Sequence, residues 1–148
     1  MSKRRQSSGE DYPEAAQKHC EDARNLLARN RSDGAAYLAD YAVECTLKSV
    51  IQIEENHNKP VIKWAHNLNT LGTAAMCLAA LPTNKTARYF KNGAVTTLPY
   101  SKPPAGWTES LRYYPVGTIL VSTATQWVGE AERLYLEVIG ELQKDGEI

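Results

Sequence analysis

Residues 35–48 are apolar on nearly every side except along one line of charge, in which Asp40, Glu44 and Lys48 recur every fourth residue. On a helix that spacing stacks the three on one side. Leu38, Ala42 and Cys45 fall on one flank, and Ala36, Val43, Leu47 and Val50 fall on another. A surface helix shows one apolar stripe and a broad polar face, so this one should be covered from at least two directions. Its few charges then need partners, and Glu44 and Lys48 are either a paired structural device or part of a site.

The rest of the chain supplies the covering helices. Pro13 suits a first helical turn, and Ala16, Cys20, Ala23 and Leu27 follow at steps of three and four, so a first helix should end near Asn30. Ser32 or Asp33 is positioned to cap a second helix from about Asp33 to about Glu55, antiparallel to the first across a tight connection, and Pro60 disfavours its continuation. Leu68, Leu71, Ala75 and Leu78 mark a third helix, with Asn67 as its cap and Pro82 just beyond it. Leu120, Ala124, Trp127, Ala131, Leu134, Val138 and Leu142 mark the fourth and longest pattern. Residues 82–116 are interrupted by Pro82, Pro99, Pro103, Pro104 and Pro115, and should hold a short helix near Asn84 to Tyr89 or a hairpin turning at Asn92-Gly93. The expectation is an all-α, antiparallel four-helix bundle with a long irregular connection before the last helix. Residues 1–11 are a flexible basic tail, with Lys3, Arg4 and Arg5, and residues 12–148 are one domain.

Composition narrows the function classes. The chain of 148 residues has 17 basic and 17 acidic side chains. A neutral balance gives no general attraction to nucleic acid or to an anionic membrane. No apolar run approaches the ~20 residues that cross a bilayer, and no apolar signal segment follows the basic start, so a cytoplasmic protein without a membrane partner is expected. Cys20, Cys45 and Cys77 are odd in number and lie within helical patterns, which suits reduced, buried thiols.

Candidate chemistry is sparse. None of the nine glycines belongs to a phosphate-binding loop, and His19, His57 and His66 lack the ligand spacing of a metal set. No cofactor or metal is expected. His19 reads as a helix histidine and His57 as a loop histidine. His66 opens the third helix, and Arg112 lies just before the fourth. In a bundle both could approach the charged line of the second helix.

Tyr37-Leu38-Ala39-Asp40-Tyr41-Ala42-Val43-Glu44-Cys45-Thr46-Leu47-Lys48, then His66-Asn67-Leu68, then Leu111-Arg112-Tyr113, together resemble the HEPN superfamily of small helical-bundle proteins, over nearly the whole chain from Tyr12 onward. The most specific part is Tyr-Ala-Val-Glu-Cys-x-Leu-Lys at 41–48. The resemblance implies an antiparallel bundle that often forms a homodimer, found in prokaryotic toxin–antitoxin, antiviral and nucleotidyltransferase-linked systems, where a nucleotidyltransferase-type protein is a partner. Many members are metal-independent ribonucleases with an Arg followed four to six residues later by a His at the start of the last helix. Here no histidine follows Arg112, and the imidazole that would move protons near neutral pH is missing from that motif. The expectation is therefore a dimeric binding or regulatory module rather than an enzyme. The alternative is a ribonuclease or nucleotide-binding protein with a rearranged site, in which Arg112 and Lys48 hold phosphate, His66 transfers protons and Glu44 orients one of them.

Overall fold

A computed structural model describes residues 2–55, 66–81, 83–90 and 108–148. Four main helices account for most of them: α1 (Tyr12–Ala28), α2 (Ser32–Glu54), α3 (Leu68–Ala79) and α4 (Val121–Tyr135). No strand occurs among the described residues, and none of their helices is long and apolar enough to cross a membrane. The hairpin expected at Asn92-Gly93 and the loop histidine His57 lie outside the described residues.

Each boundary has a local cause. The Asp11 carboxylate accepts from the Glu14 backbone N–H, and Pro13 in the first turn of α1 brings no N–H of its own, so the start of the helix leaves fewer amide donors without an acceptor. At the other end Asn30 takes a left-handed conformation, φ 56°, and the chain reverses into α2. Asn67 caps α3 as expected, its side-chain oxygen accepting from Thr70 N at 3.0 Å. The short helix expected near Asn84 to Tyr89 is a 3₁₀ segment, Lys85–Phe90, tied to the end of α2 by a 2.7 Å bond from Thr86 N to the Glu54 carboxylate.

The capping expected of Ser32 and Asp33 does not occur. The N-cap position is Arg31, with no side-chain cap. The Ser32 hydroxyl donates to Ile119 O at 2.8 Å, and the Asp33 carboxylate accepts from Gly117 N at 2.7 Å and Ile119 N at 2.8 Å. A carboxylate at the start of a helix is free to satisfy any nearby amide, and here the loop leading into α4 supplies two.

Helix α2 is the centre of the core and packs against α1, α3 and α4. Ala35, Ala36, Ala39 and Ala42 on α2 meet a core that includes Ala16, Cys20 and Ala23 of α1; short side chains on both helices permit close approach of the backbones. Val43, Leu47, Val50 and Ile51 are fully buried with Leu71, Trp127 and Leu134. Thr46 and Ser49 are also buried, and each satisfies its hydroxyl within the helix, on Ala42 O and Cys45 O at 2.8 Å.

Helix α4 runs without a break into a π-helical turn, Leu136–Gly140, and a last α-helical turn, Glu141–Lys144. The last two steps of the pattern, Leu134 to Val138 to Leu142, are four residues each, and on an α-helix each such step drifts by about 40°. The wider π turn absorbs that drift, and Leu134, Val138, Ile139 and Leu142 all remain buried. Leu120, expected as the first inward residue of this pattern, instead precedes the helix and is exposed. Cys77 is likewise exposed rather than buried. The inward face of α3 is set by Leu68, Leu71, Gly72, Ala75 and Ala79, and position 77 falls on the other side.

The basic tail makes defined contacts. Ser2 donates to the Asp11 carboxylate from both N and Oγ, Arg4 O accepts from Gln52, and the Arg4 guanidinium meets Glu147 O at 2.8 Å and its carboxylate at 3.1 Å. Lys85 also pairs with Glu147, and Arg88 and the Tyr89 hydroxyl both reach Asp145.

Candidate functional site

Position 44 on α2 faces inward, and Glu44 is only 2% exposed. A carboxylate removed from water that far requires cationic or hydrogen-bonding partners. Two are present. Lys48, one turn on, brings its ammonium to 2.6 Å from Oε1, and its side chain is 12% exposed. His66, just ahead of α3, brings Nδ1 to 2.9 Å from Oε2 and 3.1 Å from Oε1.

An ionised carboxylate only accepts hydrogen bonds, so it fixes the proton of His66 on Nδ1. In the tautomer that donates from Nδ1, Nε2 is an acceptor, on a side chain that is 46% exposed. One buried carboxylate thereby joins α2 to the start of α3 and sets the tautomer of a half-exposed histidine.

Aromatic side chains surround the pair. The Tyr41 ring stands edge-on to His66, with centroids 5.7 Å apart, and lies 5.6 Å from the His19 ring. Tyr37 meets Tyr41 both through the rings, at 5.0 Å, and through the hydroxyls, at 3.1 Å. Burial and then the hydrogen bond with Tyr37 raise the Tyr41 phenol well above its ordinary value of 10.0, so it stays a hydroxyl at neutral pH. On the opposite side the Lys48 ammonium lies 5.5 Å from the centroid of Tyr12.

Arg112 arrives differently from the other three. It belongs to a 3₁₀ turn, Glu109–Tyr113, that packs against α2. Its guanidinium is exposed and lies over the Tyr113 ring at 5.0 Å. Its charge is felt by Tyr41 and acts to lower the phenol's pKa. The partners of the Glu44 carboxylate among the described residues are therefore Lys48 and His66, while Arg112 stands at the outer, tyrosine side of the cluster. Lys48 is occupied by Glu44 and set beside Tyr12, a poor position from which to hold a phosphate.

The sequence points to Glu44, Lys48, His66 and Arg112 as candidates, whereas Tyr12, Tyr37, Tyr41 and His19 join the group only in the fold. For two of these a signal was present: Tyr37, Tyr41, Glu44 and Lys48 are spaced at four, three and four residues and share one helix face. Tyr12 and His19 come from α1, and their approach depends on how the first two helices pack. No group of three potential ligands for a metal ion occurs among the described residues.

Comparison of the chain with family models, with curated proteins and with solved structures finds no match.

Proposed function

We propose that this chain is a HEPN-like binding or regulatory module that works in the cytoplasm as a homodimer, within a toxin–antitoxin, defence or nucleotidyltransferase-linked system. It recognises a protein partner, a nucleotidyltransferase-type protein being the first candidate, and it does not cut RNA. The observation that carries this reading is the use made of residues 41–48, the stretch most similar to that superfamily. Ala42, Val43, Cys45 and Leu47 are buried in the core, while Glu44 fixes Lys48 and His66. The cluster is thus joined to the scaffold, with Arg112 left exposed at its edge. Finding a gene for a small nucleotidyltransferase beside this one would support the module, and an isolated position in a defence island would leave an activity open.

The Glu44–His66 pair favours one second reading, a ribonuclease or nucleotide-binding protein with a non-standard site. A carboxylate that orients a half-exposed imidazole is a sound arrangement for proton transfer. Against it stands the absence of any histidine after Arg112. The purified protein, incubated with RNA with and without divalent metal, should leave the RNA intact. Cleavage that accompanies the protein through purification and disappears in both Arg112→Ala and His66→Ala overturns the module reading in favour of the second.

A further inference from the structure

Tyr37 and Tyr41 are half-buried and meet each other, and Tyr41 meets His66. Among the described residues the large exposed apolar side chains are concentrated elsewhere. Tyr113, Tyr114, Val116, Leu120 and Val121 fall within nine consecutive residues, with Tyr113 77% and Val116 92% exposed. Single exposed apolar residues are ordinary, but a contiguous group marks an interaction site.

This segment is held in place rather than left loose. Asp33 accepts from two of its backbone amides and Ser32 donates to a third backbone group. Ile119 is buried as an anchor, and Thr118 Oγ1 closes the turn on Pro115 O at 2.6 Å. Gly117 takes φ +88°, a left-handed conformation that a side chain would strain. The Asp33 carboxyl is partly opposed by desolvation but brought below its ordinary value by these amide bonds, so the clamp is ionised at neutral pH. The fold therefore spends two polar side chains of α2 on presenting an apolar ridge to solvent.

We infer that the ridge from Tyr113 to Val121 is the contact face for a second copy of this chain. The inference rests on the dimer reading and gives it a location. Two features select a second copy. At roughly 200 Å² for an aromatic side chain and somewhat less for an aliphatic one, the ridge offers on the order of 600 Å². That is most of the ~800 Å² per partner of a stable interface. The nine residues also carry no charge, so two identical ridges meet across a twofold axis without like-charge repulsion, whereas a partner of different sequence would have no charge pattern there to read.

Sedimentation velocity at micromolar concentration tests this on the full chain, comparing wild type with Val116→Asp and Leu120→Asp. The wild type should sediment as a dimer. Each substitution should weaken self-association roughly a hundredfold by burying an unpaired carboxylate at the contact. Circular dichroism and the melting temperature extrapolated to low concentration should not change, because these side chains point outward in the monomer, and Val116→Ile should remain dimeric. A dimer indifferent to both Asp variants overturns the ridge and leaves the dimer reading standing. A wild-type monomer overturns the ridge and the dimer together. A monomer that binds a different protein through Val116 and Leu120 also overturns the second copy as occupant.

Discussion

Replacing Glu44 by Ala removes the carboxylate on which two elements converge. The 12% exposed Lys48 side chain then holds an ammonium with no counter-charge. Breaking a buried pair in this way costs about 3–5 kcal/mol. Two features place the expected loss at the lower end. The Lys48 stem can carry its charge part of the way to solvent, and the Tyr12 face, 5.5 Å away, offsets about 0.5–1 kcal/mol. The His66 contact adds less than about 1 kcal/mol, being half exposed. The total is about 3 kcal/mol, or a melting temperature lower by about 6–12 °C for a chain of this size. Urea unfolding followed by far-ultraviolet circular dichroism measures it. Lys48→Met should recover part of the loss when combined with Glu44→Gln, since it removes the stranded charge. If Glu44→Ala unfolds at the wild-type urea midpoint with the same slope, the carboxylate is not an energetic part of the fold and the cluster does not hold α2 to α3.

Two further outcomes follow from the half-buried His19 and the cysteines. Burial holds the His19 imidazole below its ordinary value of 6.5; a histidine lowered on folding contributes stability that is present above the unfolded value and lost as pH falls. The urea midpoint should therefore decline between about pH 7.5 and pH 5, and His19→Gln should flatten part of that decline; an identical slope in the variant counts against the assignment. Burial pushes the Cys20 and Cys45 thiols up to about 12, whereas Cys77 is exposed. Ellman's reagent should react with one thiol in the native protein and with three in denaturant, and Cys77→Ser should abolish the native reaction; native reaction of more than one thiol contradicts the packing of α1 on α2.

The helices were legible because each repeats apolar residues at intervals of three and four, and because the core is built from those same residues. The cluster was legible in part, since Glu44 and Lys48 are neighbours on one helix and their spacing alone brings them together. His66 was a matter of topology, resolved by the packing of α3 on α2. What eluded the sequence were choices between competing partners. Ser32 and Asp33 carry the chemistry of a helix cap and serve a loop more than eighty residues away. Leu120 fits the period of α4 and is exposed because the helix starts after it. The π turn at Leu136–Gly140 leaves no mark on a repeat that reads equally well as α-helix. Arg112 was expected near the charged line and reaches only its tyrosine edge, because its short turn packs beside α2 with the guanidinium outward.

In the proposed module the cluster is structural at Glu44 and becomes a recognition surface at Arg112. Recovery of the tagged chain from its native host, with bound proteins and nucleic acid identified, tests this most directly when wild type is compared with Arg112→Ala. An exposed arginine should change stability by less than about 0.5 kcal/mol. The variant should keep the wild-type melting temperature and lose a protein partner that the wild type retains stoichiometrically. A variant that is equally stable and keeps the same partner at the same stoichiometry contradicts it.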